Sequence, residues 1–543
     1  MLKFAAMRSS LLACRLRTIA IFVFLIISAM AGPTVVAQNK ELAKKVDAIL
    51  ARPDLARASW GIEFADQETG RVVYAHGAHQ LFVPASNTKL FTTAAVLALI
   101  GPDYQYRTTL ESVAPPDKYG RLSGDLVFVG RGDPNLSGRA LPYMLKTERP
   151  FPPAHVIEEL VDQLVARGVK TIDGDIVADD SFFVYERYDE GWTQEDMVYE
   201  WGAPVSAIAI NDNVTYVNIL PGERVGDHAF VSLAPASGYY QIDNRALTSP
   251  SGTGPRRIFV QRQPGSRRLE IWGDVPLDDP GANQALAIED PAEFCARLLW
   301  ESLTRRGVVV YGSPLARHTS ASSLGTFSVT SKAQPGGGLA QSQAALPGTV
   351  STTLPGIPVV LARHDSLPIR FDIQLINKVS QNLHAEMVLR LLGREKGNSG
   401  SIAGGLEVLR EFLTRAGLRS EEYVFYDGSG LSRQNLVTPE ATATLLRYAA
   451  GQKWSTQFVD SLPLAGVDGT LRGRFENLPA GAVLRAKTGT LEHVNALSGY
   501  LTTATGERLV FSILVNNHNL TGDQVTDAMD EIVSDVEKSV EHD

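Results

Sequence analysis

Hydrophobic and polar positions follow two different periods along this chain, and each period predicts a different kind of element. Apolar residues recur every three or four positions in 156–167 and 402–416, which predicts amphipathic helices. Short apolar runs with Gly-Asp turns, at 122–129 and 172–177, predict strands. We therefore expect the block from about 105 to 312 to consist of strands with a few helices.

The C-terminal third shows the same mixture of patterns. A helix pair interrupted by a polar triplet is predicted in 373–392, and sheet strands are predicted in 484–486, 496–503 and 509–516. The last stretch, 523–540, has an apolar helical face opposite an acidic one. An acidic face argues against a cationic membrane anchor, so we expect this helix to pack on a sheet. The residues of its apolar face are Val525, Met529, Ile532, Val533 and Val536.

The first 37 residues have the pattern of a secretory signal peptide. Basic residues without acidic ones precede an uncharged apolar run at 19–31, and small residues end the run. Cleavage is expected after Ala31 or Ala37. The alternative is an uncleaved anchor, for which the run is short against the ~20 residues that a membrane-spanning helix needs. The pattern predicts export to the periplasm, with no integral membrane span after cleavage.

Composition narrows the function classes. The chain has 543 residues, with 44% hydrophobic and 20% charged positions, which is typical of globular domains and excludes disordered, collagen-like and polytopic membrane proteins. Its length favours two or three domains. The net charge of -9 argues against nucleic-acid binding. Two cysteines, Cys14 and Cys295, exclude a disulfide framework, and Cys295 is expected to be a buried thiol on an apolar helix.

Three short motifs carry candidate chemistry. In the first, Ser86 precedes Lys89 by three residues at the start of an apolar run, so both would share one helical face. A desolvated lysine can act as base for a serine nucleophile, although a helix cap is the alternative interpretation. The second is Ser380-Gln381-Asn382, a triplet that can project a hydroxyl and an amide into a cleft or simply cap a helix.

The third motif, Lys487-Thr488-Gly489-Thr490, follows the predicted strand 484–486. Glycine at a strand edge lets a substrate backbone approach, and lysine with threonine can bind a carboxylate. An ordinary glycine turn is the alternative. Serine-x-x-lysine, serine-x-asparagine and lysine-threonine-glycine in this order are the signature of active-site serine enzymes that act on penicillin and its peptide counterpart.

The spacing and further stretches identify a family. A separation of 294 residues between Ser86 and Ser380 leaves no place for a compact β-lactamase and requires an insertion. The chain resembles the D-alanyl-D-alanine carboxypeptidase/endopeptidase family, the class C low-molecular-mass penicillin-binding proteins, over residues 40–520. The similar stretches outside the three motifs are 124–134, 174–181, 202–207, 427–433 and 462–472.

The resemblance implies an α/β (α+β) fold with a β-lactamase/transpeptidase-like serine domain in two segments. The segments are expected at 38–104 and 358–543, with largely β domains inserted at 105–312. A low-complexity loop is expected at 313–357, where the stretch 314–357 is longer than the family pattern suggests.

The resemblance also implies a reaction. Ser86 would attack the carbonyl between two D-alanines of a peptidoglycan stem peptide, with Lys89 as base and Ser380 as proton relay. Asn382 would hold the substrate amide, and Lys487 with Thr488 would receive the terminal carboxylate. The backbone N–H groups of Ser86 and Thr490 would stabilise the oxyanion. Many members also cut the D-alanyl–diaminopimelate cross-link. β-Lactams would inhibit covalently, and no cofactor or metal is needed.

Other residues and functions remain open on the sequence alone. His76 and His79 lack a carboxylate cluster with ligand spacing, so a surface loop is favoured for both. His384 and His493 lie near the second and third motifs, and a structural role is favoured for each. Asp179 and Asp180 fit either a diaminopimelate contact or a strand-end turn. The rival functions are a β-lactamase or esterase of the same fold and a catalytically silent peptidoglycan-binding scaffold.

Overall fold

The computed structural model describes residues 40–140, 150–321 and 358–540. The α-helices within these ranges are α1 (Lys40–Leu50), α2 (Thr88–Leu99), α3 (His155–Ala166), α4 (Pro291–Arg305), α5 (Arg370–Lys378), α6 (Asn382–Lys396), α7 (Ile402–Arg415), α8 (Pro439–Ala450), α9 (Ser455–Ser461) and α10 (Gly522–Val540). Among the described helices, none is long and apolar enough to cross a membrane.

The strands of the same ranges are β1 (Ser59–Asp66), β2 (Val72–His76), β3 (Arg107–Ser112), β4 (Arg121–Leu122), β5 (Leu126–Val129), β6 (Thr171–Ile172), β7 (Ile176–Val184), β8 (Val214–Leu220), β9 (Phe230–Ala234), β10 (Gln241–Ser249), β11 (Arg257–Gln261), β12 (Arg268–Pro276), β13 (Ala282–Ala287), β14 (Val309–Val310), β15 (Pro314–Thr319), β16 (Val359–Asp365), β17 (Tyr423–Val424), β18 (Leu436–Val437), β19 (Val483–Leu491), β20 (Val494–Thr502) and β21 (Arg508–Asn516).

An antiparallel sheet of five strands joins the two ends of the described chain. Its order is β19-β20-β21-β1-β2, so the N-terminal hairpin pairs with the last strand of the C-terminal meander. Nearly every residue of β20 and β21 is buried, because helices cover both faces of the sheet. Helix α8 packs against β1, β20 and β21, whereas α10 packs against β20 and α1. Alternating strand residues thus enter two separate cores.

A helical layer on the α8 side of the sheet carries the candidate active site. Helices α2, α5, α6, α7, α8 and α9 share one core with alternating residues of the sheet. The first ten residues of α2 are buried on every side, which explains why its sequence is a nearly continuous run of apolar and small residues. The three motifs therefore meet where α2, the α5–α6 turn and edge strand β19 come together.

The inserted block has its own core. A five-stranded mixed sheet runs β15-β7-β5-β3-β16, and three three-stranded sheets, β14-β6-β4, β10-β12-β11 and β13-β8-β9, accompany it. Helices α3 and α4 pack into this core, and Cys295 of α4 is buried as expected. Strand β16 pairs with β3, so the chain enters the inserted block at β3 and leaves it at the neighbouring strand β16. The exact domain boundaries stay a prediction.

Most predicted elements are confirmed, with different ends. The helix predicted at 156–167 is α3, the helix pair at 373–392 is α5 with α6, and the C-terminal strands are β19, β20 and β21. The acidic amphipathic helix is α10, and its predicted apolar face is buried against the sheet. The turn residues of 122–129 and 172–177 divide each predicted strand, giving β4 with β5 and β6 with β7.

The predicted low-complexity loop begins too early. Residues Pro314–Thr319 form strand β15, which pairs in parallel with β7. Hydrogen bonding to a neighbouring strand decides this conformation, and composition alone does not reveal it. Part of the predicted loop, residues 322–357, lies outside the described residues. The predicted signal peptide also lies outside them, together with its cleavage sites at Ala31 and Ala37.

Candidate active site

Ser86 lies in a tight turn at the start of α2. A short 3-10 helix, Ala85–Asn87, precedes the α-helix, and Ala85 has a left-handed backbone with φ of 46°. Gly430 packs directly on this turn, since a Cβ atom at that position would lie 1.8 Å from the Ala85 carbonyl oxygen. The backbone carbonyl of Ala85 also accepts a 3.0 Å hydrogen bond from Thr88 Oγ1. These contacts define where the Ser86 hydroxyl projects.

Lys89 lies one helical turn after Ser86 and is completely buried. Its Nζ lies 2.9 Å from Ser86 Oγ, 2.6 Å from Asn382 Oδ1 and 2.7 Å from the Ser429 carbonyl oxygen. Burial lowers the pKa of Lys89 to about 7, although the carboxylates of Asp427 and Glu386 oppose this shift. A substantial fraction of Lys89 is therefore unprotonated near neutral pH and able to accept a proton.

Ser380 occupies the turn between α5 and α6. Its φ of 64° is in the left-handed region, which sharply reverses the chain between the two helices. Lys487 Nζ donates to Ser380 Oγ over 2.9 Å and to the Thr488 carbonyl oxygen over 2.7 Å. Burial, followed by the positive charge of Lys89, holds the pKa of Lys487 well below its usual value. The second and third motifs are thus in direct contact.

Asn382 begins α6 and connects the site to the inserted block. Its Oδ1 accepts from Lys89, while its Nδ2 donates to the carbonyl oxygen of Trp201 over 2.8 Å. Trp201 is 43% exposed and stacks on Tyr199, with ring centroids 4.7 Å apart. Sequence analysis did not predict Trp201 as part of this region, because no local pattern indicates a contact across 181 residues.

Thr488, Gly489 and Thr490 lie on edge strand β19, which pairs on one side with β20. A Cβ atom at Gly489 would lie 2.8 Å from the Pro84 carbonyl oxygen and 3.1 Å from the Ser86 nitrogen, so the strand can approach the Ser86 turn only with glycine there. Thr490 is exposed beside it. All seven predicted site residues therefore converge on this junction.

Buried charged side chains hold the loop whose Ser429 carbonyl oxygen accepts from Lys89. Glu386, on α6, accepts from the backbone nitrogens of Gly428 and Ser429, over 3.0 and 2.7 Å. Arg390 Nη2 donates to Asp189 Oδ1 at 2.5 Å. Burial, followed by the charge of Asp189, raises the pKa of Glu386 to about 8. Sequence reasoning missed Glu386, although its position one turn after Asn382 was a usable signal.

Asp427 fixes the loop that carries the Ser429 carbonyl. Its two oxygens accept from the backbone nitrogens of Gly430 and Ser432, over 2.8 and 2.6 Å. Asp427 Oδ1 also accepts from the Asn435 amide over 2.6 Å. The loop that contacts both Lys89 and the Ser86 turn is therefore held by an anchored carboxylate.

The remaining candidate residues lie outside this junction. His79 is exposed and lies 2.8 Å from Glu440, and His493 Nδ1 lies 2.8 Å from the His518 carbonyl oxygen. His384 is buried, with Nε2 3.4 Å from Asp212 Oδ1. Within the described ranges, no group of three or more histidine, cysteine or acidic side chains could hold a metal ion.

Asp179 and Asp180, the candidate diaminopimelate contacts, are engaged inside the inserted block. Asp179 Oδ2 accepts from Arg317 over 3.1 Å, and Asp180 Oδ1 lies 2.8 Å from His318 Nδ1. Ser206 Oγ donates to the other oxygen of Asp180 over 2.8 Å. The side chain of Asp180 is buried, so its described contacts are structural.

Comparisons with known proteins show the family of this chain. Residues 42–333 and 339–536 match the D-Ala-D-Ala carboxypeptidase 3 (S13) family. The chain belongs to this family. It is a serine-type D-alanyl-D-alanine carboxypeptidase, a hydrolase that acts on peptidoglycan peptides. The match covers both segments of the predicted serine domain and the block between them.

The similarity to individual relatives extends over most of the chain. A D-alanyl-D-alanine carboxypeptidase from Actinomadura sp. (strain R39) is 33% identical over 500 residues, which are 89% of this chain and 82% of the relative. The carboxypeptidase DacB of Haemophilus influenzae is 25% identical over 456 residues, which are 83% of this chain and 84% of the relative.

The fold is also found in a solved structure. The crystal structure of penicillin binding protein 4 (dacB) from Haemophilus influenzae superposes with a TM-score of 0.69 at 21% identity. The superposition covers 91% of this chain and 99% of that one. The S13 carboxypeptidase therefore has the predicted α/β (α+β) architecture, in which the inserted β sheets are part of the family fold.

Proposed function

We propose that Ser86 is the nucleophile of this carboxypeptidase and that Lys89 is its general base. The observation that carries the proposal is the 2.9 Å contact between the two side chains, made by a buried lysine whose pKa is lowered to about 7. The Ser86 oxygen bonds to the carbonyl carbon of the penultimate D-alanine, while its proton passes to Lys89. No outside co-reactant is required for this step.

Ser380 and Lys487 form the second half of the proton path. When the peptide C–N bond breaks, the departing amine takes up the proton that Lys89 accepted from Ser86. Ser380 relays this proton, and Lys487 holds the Ser380 hydroxyl in place over 2.9 Å. Free D-alanine then leaves, and an ester joins the remaining peptide to Ser86. Water hydrolyses this ester, which releases the shortened peptide and restores the serine hydroxyl.

Asn382 and strand β19 hold the substrate. The second proton of the Asn382 amide is available for the substrate amide, since its contact with the Trp201 carbonyl oxygen uses only one. Lys487 and Thr488 receive the terminal carboxylate, and the backbone N–H groups of Ser86 and Thr490 stabilise the oxyanion. The close packing of Gly489 against Ser86 supports this arrangement, because it brings both backbones to one place.

The proposal extends to D-alanyl–diaminopimelate endopeptidase activity. Both reactions attack a D-alanyl carbonyl carbon, and in both leaving groups a carboxylate stands next to the departing amine. The same pair, Lys487 and Thr488, can therefore receive either leaving group. Incubation of the protein with a cross-linked stem-peptide dimer should release monomers, and Ser86→Ala should abolish both this reaction and D-alanine release.

Covalent trapping tests the nucleophile directly. Benzylpenicillin should add its own mass to the wild-type protein and to the matched control Ser420→Ala, whose serine is exposed and outside the site. Ser86→Ala should show no adduct. An adduct on Ser86→Ala would refute the assignment. Rapid turnover of penicillin without an adduct would favour a β-lactamase, and neither adduct nor turnover would favour a silent scaffold.

We further propose that the protein is exported to the periplasm. Support comes from the basic and apolar pattern of residues 1–37 and from the peptidoglycan peptides on which its family acts. N-terminal sequencing of protein from the periplasmic fraction should begin after Ala31 or Ala37. Recovery of the full-length chain in the cytoplasmic fraction alone would contradict the proposal.

A further inference from the structure

The segment 462–472 lies along β19 and brings a threonine hydroxyl to the carboxylate-binding strand. Two backbone hydrogen bonds attach it to the strand: the Ala465 nitrogen donates to the Leu484 carbonyl oxygen over 3.0 Å, and the Ala486 nitrogen donates to Pro463 over 3.1 Å. Thr488 Oγ1 donates to Thr470 Oγ1 over 2.7 Å. Both hydroxyls are partly buried.

A second set of contacts fixes this segment from the side of α5. Lys378 Nζ donates to Asp468 Oδ2 over 2.6 Å and to the Leu462 carbonyl oxygen over 3.0 Å. The other Asp468 oxygen accepts from the Leu464 nitrogen over 2.8 Å. Since Lys378 is only two residues before Ser380, the turn of the second motif and the segment carrying Thr470 are held together.

Glycine next to Thr470 is required by this packing. Gly469 has a φ of +55°, and a Cβ atom there would lie 2.5 Å from the carbonyl oxygen of Lys378. The main chain before Thr470 therefore lies directly against the end of α5. Main-chain contacts therefore fix the backbone of Thr470, from which its hydroxyl reaches Thr488.

Binding of a carboxylate to Thr488 would determine which of the two threonine hydroxyls donates the hydrogen bond between them. A threonine hydroxyl has one proton to donate, and a carboxylate can only accept. If Thr488 donates its proton to a carboxylate, the contact of 2.7 Å can persist only with Thr470 as donor and Thr488 as acceptor. Chains of hydrogen bonds aligned in this way strengthen one another.

We propose that Thr470 is a positioning residue for recognition of the substrate's terminal carboxylate. It acts through Thr488, by donating a hydrogen bond that turns the Thr488 proton toward the carboxylate. This inference rests on the proposed function, in which Lys487 and Thr488 receive that group. It adds a residue from the 462–472 segment, outside the three motifs, and it makes the effect of Thr470 specific for substrates with a carboxylate.

Two matched thioesters test the proposal. Both carry a D-alanyl acyl group; one leaving group ends in a carboxylate and the other in a carboxamide. Thr470→Val should raise KM for the carboxylate thioester about tenfold with little change in kcat, because the Thr488 hydroxyl is then no longer held with its proton toward the bound carboxylate. The carboxamide thioester should change less than about twofold, as should both thioesters with the control Thr444→Val on α8.

Two further variants distinguish the proposed role of Thr470 from a general effect of the substitution on folding. Thr470→Ser retains the hydroxyl and should restore most of the affinity for the carboxylate thioester. Asp468→Asn weakens the contact with Lys378 and should reproduce the carboxylate-specific rise in KM to a smaller extent. An equal loss on both thioesters, or no loss on either with Thr470→Val, would overturn the role of Thr470.

Measurements on the wild-type protein distinguish a failure of the Thr470 role from a failure of the proposed carboxylate site. A clear preference of the wild type for the carboxylate thioester, retained in Thr470→Val, would refute only the role of Thr470. If the wild type itself showed no preference between the two thioesters, the assignment of Lys487 and Thr488 as the carboxylate site would fail. Acylation of Ser86 by benzylpenicillin reports on the nucleophile independently of both results.

Discussion

Acylation of Ser86 by benzylpenicillin should increase with pH and level off above neutrality, since its rate follows the unprotonated fraction of Lys89. Burial lowers the pKa of Lys89 to about 7 against the opposing charges of Asp427 and Glu386. A base with a lowered pKa loses its proton earlier as pH rises. The sign is therefore fixed: acidification removes activity, and alkaline conditions above the pKa add little.

The magnitude follows from that pKa. With a midpoint near pH 7, roughly 9% of Lys89 is unprotonated at pH 6 and roughly 91% at pH 8, so the rate should rise about tenfold between them. An exposed lysine with a pKa of about 10.4 would instead give about a hundredfold rise over the same interval, and the increase would continue beyond pH 9.

The assay is the second-order rate constant of adduct formation, measured by quenched intact mass from about pH 5.5 to 9.5. This range contains the midpoint near pH 7 and lies below that of an exposed lysine, so only the lowered pKa gives a plateau within it. Circular dichroism at each pH confirms that the protein stays folded, so that a loss of rate reports on titration. A pH-independent rate would refute Lys89 as the base. A tenfold rise with every pH unit through pH 9 would refute the lowered pKa.

Two further predictions concern the supports of the site and of the inserted block. Gly430→Ala should reduce acylation at least about tenfold, because its Cβ would lie 1.8 Å from the Ala85 carbonyl oxygen. The control is Gly417→Ala, since Gly417 has a similar positive φ but open space around it. Equal acylation rates of the two variants would contradict the packing argument. Burial alone would lower the pKa of His318, but hydrogen bonds to Asp180 and Asp290 outweigh it and raise that pKa to about 10. The stability from this ion pair is fully present below the unfolded pKa of about 6.5 and is lost as pH rises through about 10. His318→Gln should therefore lower the free energy of unfolding by about 3 kcal/mol near pH 6 and by less above pH 10, whereas the exposed control His228→Gln should change it little; a pH-independent loss would contradict the charge argument.

Local sequence patterns predicted the elements and the chemical residues of the site. Ser86 and Lys89 share a helical face because residues three apart always do, and the apolar run after them requires a buried helix. The separation of 294 residues between Ser86 and Ser380 is by itself enough to indicate an insertion. These predictions succeeded because helix period, strand period and motif order can be read along the sequence without knowing which distant segments are in contact.

Contacts between distant segments were the part that local patterns could not predict. Trp201 reaches Asn382 across 181 residues, and Thr470 reaches Thr488 across 18. Strand β15 was mistaken for the start of a loop because its conformation depends on pairing with β7. No residue type or period in these segments indicates the partner, since the partner is brought there by the packing of other elements.

The sequence by itself determined the serine and lysine pair, the two-segment organisation and the family, because the identity and order of motifs can be read without coordinates. Only the tertiary structure decided the electrostatics. The pKa of Lys89 falls because α2 is buried on all sides, and the buried carboxylates of Asp427 and Glu386 limit that fall. Burial and the distances between charges exist only in the folded chain, and these quantities determine whether a lysine can act as a base.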